Sequence, residues 1–471
     1  MSDEALKNPG DLTKSIYNRR KFVKLAALSA AAVSLGSTLL AACGDAPTAT
    51  PSSAPAGSAT TAAGSSPAGA KVELQVYVHT NHPFDNVKPL FEKKYPNVTM
   101  KMLGNNDQKV FLTMLASKSD TIPDLFWPEV NDVQALGKTG ALLDVTDIVT
   151  KLKDKFVPGK LAEVFVASTS KYAAFPGDVA PVGIYYREDL FKKAGVTVPE
   201  DWTWDDYIEA SKKVKQATGA YTVTIAPEGV DRTGFMWTYL MAQMGGAVTN
   251  ADGTQITMDD EKGIAAMKLL KKIYDAKIVL EEDMLNETFF AALSGNKVAA
   301  MPAPVWYRGF ALDKNITTPE QGLGQWRVAL LPRTSPTSIR TANLGGASIA
   351  STRFTKHAPE VKNFMEFAMG TMEGVSAMAK YGIMPSYLPF LESDEWKKAR
   401  TPVMGDFAYN EVWTKASKEY PSTWYKQSVF GEAMTELGGA MMGMLKGSTP
   451  IESGMKTVGD RVRELNKRYQ S

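Results

Sequence analysis

Apolar and polar residues alternate where the folded part of the sequence begins. Val72, Leu74, Val76 and Val78 occupy every second position, a period that predicts a β-strand with one buried face. Apolar residues then recur at helical spacing through PFDNVKPLFEKK, and VTMKML returns to alternation. DQKVFLTMLASK is helical again, and IPDLFW is a short apolar strand. Strands that alternate with helices predict a parallel sheet covered on both faces, whose ligands bind beyond the carboxyl ends of the strands.

A second series of strands and helices follows. FPGDVAPVGIYYREDLFKKAG predicts a strand and then a helix that Gly195 ends, and WTWDDYIEASKKV places Thr203 and Asp206 in a capping box. KVAAMPAPVW, WRVALLP and GGASIAS predict further strands, and the tail after Pro359 is mainly helical. About 400 residues without a second low-complexity linker exceed the usual size of one core, so we expect two lobes.

The N-terminal segment has the order of an export signal. Arg19 and Arg20 precede Leu25–Ala42, a run of 18 uncharged, alanine-rich residues. The run reaches the minimum length of a membrane-spanning helix, but the small residues before Cys43 favour a cleaved signal peptide over residues 1–42. The motif RRKF resembles a twin-arginine signal, and a general secretory signal with basic residues ahead of it is the alternative.

Cys43 is the only cysteine of the 471 residues and follows Leu-Ala-Ala, as in a lipobox. This pattern predicts a lipid anchor on Cys43. Residues 46–70 contain only Ala, Ser, Thr, Pro and Gly, which cannot bury a core. We therefore expect residues 43–70 to be a lipidated cysteine followed by a disordered tether. The globular part would then lie outside the cytoplasm, on the outer face of the cell membrane or in the periplasm.

The charge balance excludes one class of partner. The whole chain carries a net charge of +2, but residues 1–42 contain six Lys or Arg and three Asp or Glu. The chain without its leader is therefore close to −1. This gives no electrostatic basis for binding nucleic acid.

Motifs of catalysis and metal binding are not evident in the sequence. The chain has three histidines, and HTNH does not have the spacing of a zinc site. Neither G-x-S-x-G nor a P-loop occurs, and DGTQITMDDE lacks the spacing of an EF-hand loop. Carboxylates are numerous, but no pair stands out as the two of a glycosidase. We therefore expect no metal, no cofactor and no catalytic residue.

Tryptophans follow two of the predicted strands. Trp127 ends DLFW and Trp306 ends PAPVW. The apolar faces of a pyranose stack on such rings, while carboxylates and amides bind its hydroxyl groups. Core packing is the alternative interpretation for both residues, and it is at least as well supported for Trp237 and Trp424.

Five blocks in order resemble the family 1 extracellular solute-binding proteins of ABC importers, whose best-known members bind maltose and other sugars. The blocks begin IPDLFWPEV, YAAFPGDVAP, WTWDDYIEAS, FFAALSGNKV and WRVALLP. The resemblance implies an α/β, two-lobed periplasmic-binding-protein fold of type II-like topology. Each lobe would be a mainly parallel sheet flanked by helices, with the ligand cleft between the lobes. By analogy, lobe 1 comprises residues 71–179 and 333–369, and lobe 2 comprises residues 180–332 and 370–471.

The resemblance also implies a set of site residues. The maltose-type members stack tryptophans near the positions of Trp127 and Trp306, and they keep polar contacts after the first strand, at Asn81 and His82. Other polar candidates lie at predicted junctions, where a cap or turn role is the alternative. The ligand-binding set predicted is Asn81, His82, Trp127, Glu129, Asp178, Trp237, Trp306, Asn343 and Trp424.

The resemblance implies a function in uptake rather than catalysis. We expect a monomeric substrate-binding component that captures a sugar or oligosaccharide and delivers it to ABC permease subunits. One alternative is an extracytoplasmic sensor or adhesin of the same fold. A secreted carbohydrate-active enzyme is another.

Overall fold

The computed structural model describes residues 71–80, 82–105, 108–116, 122–421 and 427–469. The predictions for the export signal, Cys43, the tether, Asn81 and Trp424 concern residues outside this part of the chain.

Fourteen short strands occur among the described residues. They are β1 Val72–Tyr77, β2 Val98–Met102, β3 Leu125–Phe126, β4 Phe165–Val166, β5 Lys171–Tyr172, β6 Phe175–Pro176, β7 Asp178–Val179, β8 Val182–Arg187, β9 Val223–Ile225, β10 Val279–Glu281, β11 Ala300–Pro304, β12 Trp326–Leu330, β13 Ser348–Ile349 and β14 Met384–Pro385. β1 is buried at alternate positions up to Val76, which confirms the period-two prediction.

Helices flank the strands. They are α1 Phe84–Lys94, α2 Gln108–Ala116, α3 Val130–Lys138, α4 Thr146–Leu152, α5 Pro158–Val164, α6 Glu188–Lys193, α7 Trp204–Thr218, α8 Phe235–Gln243, α9 Glu261–Asp275, α10 Glu287–Ser294, α11 Asp313–Asn315, α12 Ala358–Gly370, α13 Met372–Ala379, α14 Leu388–Leu391, α15 Asp394–Lys397, α16 Tyr409–Lys418, α17 Phe430–Gly438, α18 Met441–Lys446 and α19 Ile451–Asn466. Thr203 and Asp206 form the predicted capping box of α7, and Gly195 follows α6 with φ +66°.

The sheet of lobe 1 has one antiparallel strand among parallel ones. β1 pairs in parallel with β2 on one side and β3 on the other. Phe126 of β3 pairs antiparallel with Ala350, directly after β13, and β13 pairs antiparallel with β6. The spatial order is therefore β2-β1-β3-β13-β6.

Lobe 2 repeats this arrangement. β9 and β10 are parallel, and Tyr221 before β9 pairs in parallel with Val298 before β11. β8 is antiparallel to both β11 and β12, which gives the order β10-β9-β11-β8-β12. The expected mainly parallel sheet in each lobe is confirmed. In each lobe the antiparallel strand, β13 in lobe 1 and β8 in lobe 2, is the first strand after the chain crosses from the other lobe.

The chain returns to lobe 2 later than expected. The resemblance places the second boundary from lobe 1 to lobe 2 between residues 369 and 370, but α13 packs against α1 and α12 of lobe 1. β14 then pairs with β7, and Ser386 accepts a hydrogen bond from the N–H of Val157. The helices that pack on the sheet and core of lobe 2 come later in the chain: α16 packs on β8 and β12, and α19 packs on α9.

Candidate ligand-binding cleft

The carboxyl ends of β1 and β3 bring His82 and Trp127 together. The ring centroids lie 5.4 Å apart in an edge-on arrangement, and Phe84 packs edge-on against both rings. Trp127 is half-buried, whereas His82 is buried. The loops after two neighbouring parallel strands thus present one indole face at the edge of the sheet where ligands of such sheets bind.

His82 is held neutral with a free donor. Burial, together with the neighbouring His79, lowers the pKa of His82 to about 3. Its Nδ1 accepts a hydrogen bond from the N–H of Phe84 (3.2 Å), so the neutral ring carries its hydrogen on Nε2. Nε2 is buried and has no hydrogen-bond partner among the described residues. An unmatched buried donor costs roughly 1–3 kcal/mol, which a bound acceptor would recover.

One backbone segment, Asn343–Ser348, lies beside both candidate stacking tryptophans. Trp306, at the end of β11, donates from Nε1 to the carbonyl of Leu344 (2.9 Å). The N–H of Ser348 donates to the carbonyl of Pro128, next to Trp127 (3.1 Å). Leu344 and Ser348 are four residues apart, so the backbone between these contacts spans at most about 14 Å. The segment therefore holds the two indoles at the two ends of a short crossing between the lobes.

Glycines allow the tryptophans to approach the backbone. Gly345 has φ +93°, and a Cβ at this position would lie 3.0 Å from Nε1 of Trp306. A Cβ on Gly177 would lie 2.9 Å from the ring of Trp127. Both contacts are closer than a side chain tolerates without displacing its neighbour, so a residue other than glycine would shift the indoles.

Comparison with known proteins agrees with this geometry. A family model described as bacterial extracellular solute-binding protein matches residues 90–402. The chain belongs to this family. The match covers well over half of the chain, and it includes parts of both lobes and the segment between the tryptophans.

Relatives and solved structures share the fold of this solute-binding protein. The arabinooligosaccharide-binding protein of Halalkalibacterium halodurans is 26% identical over 297 residues, which is 60% of this chain and 64% of that relative. A structure of the ABC transporter associated binding protein from B. animalis subsp. lactis, in complex with β-1,6-galactobiose, has a TM-score of 0.69 at 23% identity and covers 84% of this chain and 98% of that one. The galacto-N-biose-/lacto-N-biose I-binding protein of Bifidobacterium longum has a TM-score of 0.70 at 19% identity, with coverages of 85% and 98%. These likenesses establish the two-lobed fold with its cleft, and the family is extracytoplasmic.

A buried ionic cluster holds the crossing segment of this solute-binding protein, Asn343–Ser348, in place. Lys160 is fully buried, pairs with Glu163 (2.6 Å) and donates to the carbonyl of Gly346 (3.2 Å). Asn343 donates from Nδ2 to Glu163 (3.0 Å), as does the hydroxyl of Tyr420 (2.8 Å). Because buried charges are stable only when paired, this cluster holds the segment in one conformation.

Asp178 also holds the crossing segment in place. Its carboxylate accepts a hydrogen bond from the N–H of Ala347 (2.8 Å). Burial raises the pKa of Asp178 to about 7, against the opposing effect of Lys160, and Glu129 adds to the rise. Asp178 and Asn343 were predicted as ligand residues, but each is more than nine-tenths buried and binds the protein. Of the two side chains, Asn343 keeps one buried atom, Oδ1, without a partner among the described residues.

The remaining predicted residues divide between surface and core. Glu129 is exposed and lies directly before α3. Trp237 is fully buried in the core of lobe 2, and its Nε1 donates to the carbonyl of Gly263 (2.9 Å), so it packs in the core instead of facing the cleft. The reason is local, since nearly every residue of α8 is buried.

Sequence reasoning missed three rings near the cleft. His79 lies 5.0 Å from His82 and 6.4 Å from Tyr381, measured between ring centroids, and Phe310 lies 5.7 Å from Trp306. HTNH, which contains His79, carries no sequence signal for stacking. Over the described ranges, no three His, Cys, Asp or Glu residues lie where they could hold a metal ion. No helix in the described ranges is long and apolar enough to cross a membrane.

Proposed function

We propose that this protein is the substrate-binding component of an ABC importer and that it captures an extracellular sugar, in particular an oligosaccharide. The observation that carries the proposal is that two half-buried tryptophans, Trp127 and Trp306, lie beside the two ends of the short segment Asn343–Ser348 between the lobes. Curated relatives are named for arabinooligosaccharide and lactose binding. The matched region spans 64% and 60% of those relatives, so their ligands support only the class of solute.

The chemistry of the cleft suits a carbohydrate. Indole faces stack on the apolar faces of sugar rings, and each hydroxyl group both donates and accepts hydrogen bonds. Nε2 of His82 would donate to a sugar oxygen, and Oδ1 of Asn343 would accept from a hydroxyl group. We propose Asn81, Glu129 and Trp424 as further contacts, whereas Asp178 acts through the Ala347 backbone that it supports.

Uptake would couple ligand binding to closure of the lobes. A sugar held between Trp127 of lobe 1 and Trp306 of lobe 2 contacts both walls only when the lobes approach. Its higher affinity for that state shifts the equilibrium towards closure. The closed form would deliver the sugar to the permease without altering it, and the protein acts as a monomer. We further propose a twin-arginine signal at Arg19 and Arg20 and a lipid anchor at Cys43, with residues 46–70 as the tether.

The proposal is tested by thermal denaturation of the mature domain, residues 71–471, with a panel of solutes. The panel contains mono-, di- and oligosaccharides, amino acids and short peptides. A ligand at 100 times its Kd stabilises the folded state by about 2.7 kcal/mol. We expect an oligosaccharide to raise Tm and to be recovered unchanged by mass spectrometry. If a peptide or amino acid raises Tm and no saccharide does, the proposal that the ligand is a sugar is refuted. Recovery of a shortened saccharide would indicate an enzyme.

A further inference from the structure

A row of rings on lobe 1 leads from the candidate site to the surface. Centroid distances are 5.4 Å from Trp127 to His82, 5.0 Å from His82 to His79 and 6.4 Å from His79 to Tyr381. Exposure increases along the row, from the buried His82 to Tyr381, which is 43% exposed. The row is therefore a series of ring contacts that connects the exposed Tyr381, through the buried His82, to Trp127.

Lobe 2 carries a matching row. The ring of Phe310 lies edge-on to Trp306 (5.7 Å) and to Phe290 (5.9 Å), and it is 41% exposed. Phe310 lies in a π-helical turn, Arg308–Leu312, which begins four residues after β11 ends at Pro304. π-Helical turns are rare in proteins, and those that occur are often at functional sites. This turn is held in place because Arg308 pairs with Asp313 and stacks on Tyr409.

The two rows meet where the lobes touch. The backbone at Gly309 packs against Tyr381 and Gly382, since a Cβ on Gly309 would lie 3.1 Å from the Tyr381 carbonyl and 3.5 Å from Cα of Gly382. Phe310 directly follows Gly309, so an exposed ring from each lobe flanks this contact. Seven large apolar side chains are exposed over the described ranges. Of these, ring contacts connect only Phe310 and Tyr381 to the tryptophans.

We propose that Phe310 and Tyr381 form an outer subsite, which stacks on a sugar unit that lies beyond the units held by Trp127 and Trp306. The ligand is then an oligosaccharide of at least three units, and affinity rises when the third unit is added. This inference rests on the proposed function. It adds a minimum length for the ligand and names the two residues that would contact its third unit.

The test is calorimetry with gluco-, galacto- and arabino-oligosaccharides of two, three and four units. We expect the wild type to bind the three-unit sugar of the best series more tightly than the two-unit sugar, by three- to tenfold. Phe310→Ala and Tyr381→Ala should each lose most of that gain and bind the two-unit sugar as the wild type does. Phe310→Tyr and Tyr381→Phe keep a ring and should retain the gain.

Phe354→Ala is the matched control, because Phe354 is 39% exposed and has no ring contact with either tryptophan. Its binding should equal that of the wild type for every length. Equal affinity of the wild type for two and three units would overturn the subsite. So would an equal loss for both lengths in the alanine variants. Both results leave the proposed function intact, whereas binding of no saccharide at all would refute the function together with the subsite.

Discussion

The indole Nε1 of Trp306 donates to the carbonyl of Leu344, 38 residues further along the chain. This bond connects the wall of lobe 2 to the segment that crosses back to lobe 1. Because Nε1 is already bonded, Trp306 offers a ligand its ring face and no donor. The hydrogen bonds of the site must therefore come from other side chains.

Truncation of Trp306 should affect binding more than folding. Stacking contributes about 0.5–1.5 kcal/mol beyond the area that it buries, so Trp306→Ala should weaken sugar binding by about 2 kcal/mol, near thirtyfold. Trp237→Ala is the matched control, because that tryptophan is fully buried. It should cost roughly 3–5 kcal/mol of folding free energy and leave the affinity of the folded protein unchanged. Calorimetry and urea unfolding separate the two effects, and a collapse of stability with normal affinity in Trp306→Ala would make it a core residue.

His82 should make the protein less stable in acid. Its pKa is about 3 in the folded state and about 6.5 in the unfolded chain, so between these values only the unfolded chain binds the proton. Folding stability therefore falls as the pH falls through this window, by about 2 kcal/mol at pH 5. His82→Gln lacks this titration, so the difference from the wild type should shrink between pH 7 and pH 5 in urea unfolding. A constant difference would contradict a neutral His82.

Asp178 should have the opposite dependence. Its pKa of about 7 lies above that of an unfolded aspartate, so the folded state retains a proton that the unfolded chain releases between pH 4 and 7. The wild type therefore loses stability as the pH rises through this window. Asp178→Asn keeps an acceptor for the Ala347 N–H and carries no charge, so it should become the more stable protein towards pH 8. Asp178→Ala, which leaves that N–H unpaired, should be destabilised at every pH.

Lys138 forms another contact between the lobes, outside the crossing segment. Its Nζ, at the end of α3 in lobe 1, donates to the carbonyl of Asp252 in lobe 2 (3.4 Å). The carbonyls on either side are held by lobe 2 itself, Ala251 by Gln427 and Gly253 by Asn466. Lys138→Met should speed sugar release by roughly threefold, the loss of one modest hydrogen bond.

Stopped-flow fluorescence measures that release rate. The control is Lys151→Met, since Lys151 pairs with Glu366 inside lobe 1. It should release sugar at the wild-type rate. An unchanged rate in Lys138→Met would mean that this bond does not hold the closed state.

If the proposed anchor and tether are right, Cys43→Ser should release the full-length protein from the membrane fraction without lowering its Tm, because residues 46–70 would separate the lipid from the folded domain. Fractionation and immunoblotting measure this. Retention in the membrane would show that Leu25–Ala42 is an uncleaved span. Replacing Arg19 and Arg20 with lysine should block export only if the signal is of the twin-arginine type.

Local patterns predicted local structure well. The alternation of β1 and the capping box of α7 follow from neighbouring residues, and the structure confirms both. The burial of Trp237 could also have been predicted, because FMWTYLMA has no polar face on a helix. Core packing, the alternative interpretation of Trp237, is therefore the one that its helix favours and the structure shows.

The sequence could not predict contacts between residues that lie far apart along the chain. Lys160 looks like any helical lysine, yet it is fully buried beside Gly346, which lies 186 residues away. Tyr381 approaches His79 because α13 packs back on lobe 1, contrary to the lobe boundary that analogy places between residues 369 and 370. Neither contact has a local pattern, since each depends on how two distant segments meet.

The strand order of lobe 1 also dictates when this lobe can be completed during synthesis. The edge of β3 is covered by Ala350, which the ribosome adds only after every strand of lobe 2. Lobe 2 can close its own sheet as soon as β12 has emerged, because its five strands lie within residues 182–330. An open edge is prone to pairing with other chains, so the first half of the protein needs protection until the second half has folded. A nascent chain stalled before residue 343 should therefore hold every strand of the lobe 2 sheet, whose core still awaits α16 to α19, whereas the sheet of lobe 1 still lacks β13.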